Sequence, residues 1–289
     1  MLAGKYHKME VLRPTTLGYV VTLNGEEYFL HQAETKEELE IGQKINAFLY
    51  YDSKKRLTAT LDKAKISIEK YGWVEVVSTR DNLGVFVDIG INKEILVAPS
   101  ELPIFESLWP QVGDHLYCCL KESLSNYLFA IVAKPDDFSE IIQAAPEDLN
   151  GKKVKATVIR TGKIGTNIMT EDGYMGFIHA SERREEPRLG ESLEGRVVRV
   201  KENGEINVSL IPQKELAMDE DSEFIMDYLN RNRGAMPFSD KSNPDEIRRV
   251  FKMSKASFKR ALGRLMKEGK IYQEAGSTYL KEEEETLDF

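Results

Sequence analysis

The sequence predicts a mainly β chain with a C-terminal α+β module: three tandem five-stranded barrels followed by a winged helix-turn-helix domain. Three observations predict it. A glycine recurs at a nearly fixed distance ahead of a glutamate, as Gly18 and Glu34, Gly84 and Glu101, and Gly165 and Glu182. Self-similarity at one spacing marks repeated structural units. Short runs of alternating apolar and polar residues, broken by turn residues, fill the chain as far as Leu210. After Leu216 the apolar period lengthens from that of a strand to that of a helix.

Residues 1–63 carry the first unit. Its strands are Lys8–Leu12, Gly18–Leu23, Glu27–Leu30, Lys44–Leu49 and Leu57–Leu61, and Asn24-Gly25 is a two-residue hairpin signal. Glu34 to Leu39 makes a short loop or helical turn. Five short strands in so few residues fit a Greek-key barrel of the OB type. Residues 64–134 repeat the order with Trp73–Val77, Gly84–Asp88, Glu94–Ala98, Leu116–Lys121 and Tyr127–Val132. In residues 135–149, Phe138, Ile141, Ile142 and Ala145 at helical spacing predict a linker helix ending before Pro146. The third barrel, 150–213, opens with Lys153–Arg160, turns at Asn203-Gly204 and closes with Ile206–Leu210 before Pro212. In 214–281, Phe224, Ile225, Tyr228 and Leu229 mark one helix. Asn243 before Pro244 starts a second over Ile247–Phe251. Ser254 caps a third that buries Phe258, Leu262, Leu265 and Met266 and stops at Gly269. Ile271–Glu274 and Thr278–Leu280 form the wing, and 282–289 is an acidic, solvated tail.

Composition narrows the function. There is no apolar run of about 18 residues and no signal-peptide core at the N-terminus, so a cytoplasmic protein without a membrane span is expected. Cys118 and Cys119 are adjacent on a strand, point to opposite faces and form no ordinary disulfide. Up to Leu149 there are 15 Lys and Arg against 23 Asp and Glu, which accounts for the whole formal net charge of −8. The C-terminal half is balanced and is the better candidate for a polyanion. The four histidines form no metal-ligand cluster, and no nucleophile elbow appears. Thr161-Gly162-Lys163 lacks the earlier glycine of a phosphate loop. An enzyme is not expected, and neither a cofactor nor a metal is.

Phe177-Ile178-His179-Ala180-Ser181-Glu182 resembles the hydrophobic-His-hydrophobic-Ser-Glu signature of S1-type RNA-binding domains, a subgroup of OB folds. Gly84-Val85-Phe86-Val87-Asp88 resembles their Gly-aromatic-Val strand, and Asp52 with Arg56-Leu57 their charged pair before the last strand. Three S1-like units followed by a winged helix resemble the bacterial conserved virulence factor B family over nearly the whole chain. The resemblance implies an RNA-binding regulator of gene expression, virulence factors included, and not a catalyst. An S1 face carries two aromatics around the second-strand glycine, a histidine, an aspartate and an arginine. The first repeat matches it with Tyr19, His31, Asp52 and Arg56, and the second with Phe86, while Ala98 takes the histidine place. The third keeps His179, but Ile164 and Asn167 stand where the aromatics belong and Asn207 where the arginine belongs.

Aromatics on an open barrel face stack unpaired bases, at ~1–3 kcal/mol each, and nearby cations neutralise phosphates. Tyr19 and Phe86 are the stacking candidates, each with a core aromatic as its alternative. His31 and His179 either meet a base or support a strand end. Lys153, Lys155, Arg160, Lys163, Arg183, Arg184, Arg188 and Arg199 on the third barrel are either phosphate contacts or a solvated charged face, and Glu185, Glu186 and Glu191 interleaved among them break a continuous phosphate track. On the third helix Lys255, Lys259 and Lys267 fall near one face, flanked by Arg260 and Arg264. That face meets a nucleic-acid backbone or simply solubilises the helix. The expected partner is RNA, mainly through the third barrel and winged helix, with duplex DNA or protein as alternatives and a monomer as the expected state.

Overall fold

The computed structural model describes residues 2–35, 37–211 and 214–281, the side chains of 214–219 excepted. Pro212 and the acidic tail at 282–289 lie outside the described residues. The chain divides into two units. The first holds three closed five-stranded barrels.

Strands β1 (Lys5–Thr15), β2 (Gly18–Leu23), β3 (Glu26–His31), β4 (Lys44–Tyr51) and β5 (Leu57–Thr60) close in the order β1-β2-β3-β5-β4. Asn24 and Gly25 turn the β2–β3 hairpin with φ of 54° and 87°, as a two-residue primed turn requires. The second barrel uses β6 (Gly72–Arg80), β7 (Gly84–Asp88), β8 (Ile95–Val97), β9 (His115–Ser123) and β10 (Tyr127–Val132). The third uses β11 (Lys153–Arg160), β12 (Gly165–Thr170), β13 (Met175–His179), β14 (Ser192–Val200) and β15 (Ile206–Ser209). In each barrel the first strand is bulged at one equivalent place: between Val11 and Arg13, Val76 and Ser78, and Val158 and Arg160. A bulge bends the strand and raises its twist, which closing so small a barrel requires.

The repeated glycine now has a physical cause, and the repeated glutamate a fixed place. A Cβ on Gly18 would stand 2.1 Å from the Leu30 carbonyl oxygen, and one on Gly84 2.2 Å from that of Val97. The second strand crosses the third too closely for any side chain. Each glutamate closes a single 3-10 turn after the third strand: Gln32–Glu34, Pro99–Glu101 and Ala180–Glu182.

The barrels of the first unit share packing. Phe48, Tyr50 and Tyr51 of β4 join Val74, Val76, Val85 and Leu116 of the second barrel in one buried cluster. Tyr117 of β9 joins Ile159, Met169 and Met175 of the third in another. Phe138 lies in that second cluster, stacked on Tyr117 at 4.7 Å between centroids. It anchors the stretch predicted as a linker helix, and the helix itself is corrected. Only Pro135–Phe138 and Glu147–Leu149 are 3-10 turns, and between them Gln143 bridges to Tyr174. Pairing to the third barrel takes the backbone hydrogen bonds that a helix would have used.

The second unit holds the winged helix. It comprises α1 (Lys214–Arg231), β16 (Ala235–Met236), α2 (Pro244–Phe251), α3 (Lys255–Lys267), β17 (Ile271–Glu274) and β18 (Ser277–Leu280). Asn243 caps α2 by accepting from the Asp245 N–H, and Ser254 caps α3 by accepting from the Ser257 N–H. Phe251 centres the core, 4.7 Å from Phe258, 5.0 Å from Tyr228 and 5.1 Å from Phe238 between ring centroids. Burying each such side chain contributes about 1.5–3 kcal/mol. The two-residue strand β16 adds a third strand, in the order β16-β18-β17, beyond the predicted hairpin. No helix among the described residues is long and apolar enough to cross a membrane.

Candidate nucleic-acid interface

The second and third strands of each barrel present an outward cross-strand pair at the equivalent place: Val20 with Phe29, Phe86 with Leu96, and Asn167 with Phe177. Every pair contains one aromatic, but its strand changes. The second barrel supplies it from the second strand, the first and third from the third strand. Phe29 and Phe177 were therefore missed from sequence. The signal was in the signature itself, because a residue two before the motif histidine shares its face. Phe29 lies edge-on to His31 with ring centroids 6.0 Å apart. The Phe177 ring lies over Gly165, where a Cβ would come within 2.3 Å of its Cζ.

Tyr19, by contrast, turns inward. It packs against the first barrel's core on the same side as Val21, and its hydroxyl accepts from the Leu39 N–H at 3.2 Å. The residue one after the glycine faces the core, and the outward place two after it belongs to Val20. Directly before each glycine stands an exposed aliphatic: Leu17 at 62%, Leu83 at 44% and Ile164 at 75% relative exposure. These fill the positions where the S1 pattern has its other aromatic.

The histidines sit at the end of the third strand. His31 and His179 are both exposed. His31 Nδ1 accepts from the Ala33 N–H at 3.1 Å. On the second barrel, Arg80 lies over the Phe86 ring at 4.9 Å. Arg56 is tied back to Asp52, its Nε donating to Oδ2 at 2.9 Å.

The predicted cations separate into two sets. Lys153 pairs with Glu194 at 2.8 Å, and Arg184 pairs with the buried Asp221 at 2.9 Å inside the second unit. Those charges are compensated locally. Arg183 is half-buried. Lys155, Arg160, Lys163 and Arg199 are exposed and make no ion pair among the described residues. Arg160 lines an open groove of about 880 Å3 between the second and third barrels, together with Lys121 and Lys134. On α3, Arg260 donates to Ser257 at 3.0 Å and Arg264 to Glu268 at 2.8 Å. Lys259 and Lys267 are exposed and Lys255 half-buried, with Ala256 and Gly263 as small exposed residues between them. Among the described residues, no group of three or more His, Cys, Asp and Glu side chains is placed to hold a metal ion.

Comparison with known proteins agrees with this architecture. Residues 3–62 match the model of the S1 domain, 71–131 that of the CvfB first S1-like domain, and 138–212 that of the virulence regulatory factor CvfB, second domain. Residues 223–280 match the CvfB-like winged helix domain. The uncharacterized protein YitL of Bacillus subtilis (strain 168) is 47% identical over 281 residues, 97% of this chain and 94% of that one. Conserved virulence factor B of Staphylococcus aureus (strain N315) is 38% identical over 260 residues, 89% of this chain and 86% of that one. A crystal structure of a multidomain protein with nucleic acid binding domains, from Streptococcus pneumoniae TIGR4, is 34% identical with a TM-score of 0.67. That match covers 96% of this chain and 98% of the other.

Proposed function

The chain belongs to the conserved virulence factor B family, and from that premise we propose that it is a non-enzymatic, cytoplasmic regulator of gene expression that binds single-stranded RNA. The observation that carries this is the outward cross-strand pair, with one aromatic in every barrel: Phe29, Phe86 and Phe177. Aromatic platforms with cations beside them stack bases of any sequence and hold the backbone between. Lys155, Arg160, Lys163 and Arg199 on the third barrel are the proposed phosphate contacts there. Lys255, Lys259, Arg260, Arg264 and Lys267 serve the same end on the winged helix. His31 and His179 extend the stacking row. The solved relative's description as a protein with nucleic acid binding domains supports the reading.

A second reading, a winged-helix regulator of duplex DNA, is favoured by one feature. Two exposed positions of α3 are small, Ala256 in its first turn and Gly263 farther along, and a Cβ on Gly263 meets nothing within 4 Å. Such a helix face can lie close to a groove. Competition separates the two. Single-stranded RNA bound to the full chain should resist displacement by equal concentrations of duplex DNA. Ready displacement would favour the DNA reading.

A further inference from the structure

A cavity of about 470 Å3 opens at the seam between the first and second barrels. Phe86, Leu96, Tyr127 and Phe129 of the second barrel wall it with Tyr51 of the first, and Lys93 and Glu94 add one charge of each sign to the lining. Tyr127 and Phe129 stand 6.4 Å apart between ring centroids. Lys93 reaches across the seam and donates to the carbonyl oxygens of Tyr51 at 2.5 Å and Asp52 at 3.1 Å. Tyr51 in turn donates to Glu122 of the second barrel at 2.6 Å. The pocket is thus preformed, with both of its sides tied together. Its size lies in the range of small-molecule sites, about 300–1,000 Å3.

The chemistry of the rim points to what enters. Lys55 Nζ lies 4.4 Å from the centroid of Tyr127, and the Arg80 guanidinium 4.9 Å from that of Phe86. Two of the wall rings therefore carry a cation each. Lys54-Lys55-Arg56 is a basic turn in a half of the chain that carries the whole net charge of −8. An apolar protein side chain would need the rings but not the cations. A nucleobase with its phosphates needs both.

We propose that this seam holds one unstacked nucleobase of a single-stranded RNA, with the flanking phosphates on Lys54, Lys55 and Arg80. The proposal rests on the RNA reading above and adds a base site built by two barrels jointly. No single barrel contains it, since Tyr51 and Lys55 come from the first and the remaining rings from the second.

The test uses the full chain and an oligouridylate of about ten nucleotides carrying 4-thiouridine. Ultraviolet crosslinking should attach the base to the peptide containing Tyr127 and Phe129. Tyr127→Leu should lower affinity about 5- to 150-fold, the equivalent of one lost stack of ~1–3 kcal/mol. Lys55→Gln, at an exposed position, should lower affinity with unchanged thermal melting. RNA that binds, crosslinks elsewhere and ignores both variants would overturn the seam site while leaving the RNA reading intact. Binding of uridine monophosphate but not of the oligonucleotide would overturn the proposed occupant. A chain that binds neither would overturn the seam site and the RNA reading together.

Discussion

Arg188 grips Asp114 with two hydrogen bonds, Nε to Oδ2 at 2.7 Å and Nη2 to Oδ1 at 3.0 Å. The pair joins the third barrel to the second. Beside it, the His115 N–H donates to the Gly190 carbonyl and the Leu189 N–H to that of Leu108. Asp114 is nearly buried, and it also accepts from the Gln111 N–H at 2.7 Å. The Arg188 guanidinium lies above its ordinary pKa because of its hydrogen bonds to Asp114.

Removing the fork leaves a buried carboxylate with one donor. Arg188→Ala should destabilise the barrel unit by about 2–4 kcal/mol. Arg188→Lys should recover less than half of that, because an ammonium cannot make the two parallel bonds. Denaturant unfolding followed by tyrosine and tryptophan fluorescence measures both. A loss within the range of an ordinary surface substitution would show that the pair does not hold the barrels together.

Tyr51 gives a pH prediction. Burial first, then its hydrogen bond to Glu122, pushes its hydroxyl up to about 12, against roughly 10 in an unfolded chain. A raised folded pKa means that the folded state holds the proton longer. The contribution is complete below pH ~10 and is lost as pH rises toward about 12. Unfolding free energy should therefore fall across that window, and Tyr51→Phe should make the fall shallower. An identical alkaline limb in the variant would contradict the assignment.

Asp221 should behave with related logic in the second unit. Burial raises its pKa, and the Arg184 ion pair opposes that rise. Its folded pKa lies above the unfolded value of about 3.9, so the protonated form favours folding. That contribution is complete below pH ~3.9 and fades as pH rises through the folded pKa. Arg184→Ala should therefore destabilise the winged helix more at pH 7 than at pH 4. Thermal melting at the two pH values checks the sign, and an equal loss at both would exclude the pair as its cause.

Lys255 and Lys259 test the proposed α3 contact. Each phosphate neutralised on a single strand contributes about 0.7 to the slope of log affinity against log salt. Lys255→Ala with Lys259→Ala should flatten that slope by roughly 1.4. An unchanged slope would remove α3 from the backbone contact.

Some of this was legible in the sequence for definite reasons. Gly18 and Gly84 stand where backbone meets backbone, so their spacing had to repeat. The caps at Asn243 and Ser254 were legible because they satisfy helix N–H groups with neighbours in the chain. What escaped depends on partners far along the chain. Whether Tyr19 faces the open surface or the core is not decided by its distance from Gly18; the cross-strand pairing with Leu30 turns it inward. The predicted linker helix yielded to the pairing of Gln143 with Tyr174. The seam pocket needs Tyr51 and Tyr127, which lie in different barrels, and no local pattern joins them.

The central claim is that barrels with aromatic faces and a basic helix hold single-stranded RNA through stacking and charge together. Fluorescence anisotropy of a labelled single-stranded RNA on the full chain, titrated at several salt concentrations, tests it most directly. The account predicts a linear fall of log affinity with log salt, and a further uniform loss in the variant carrying Phe29→Ala and Phe177→Ala. Absence of binding even in dilute buffer, or binding that neither salt nor those two substitutions weakens, would contradict it.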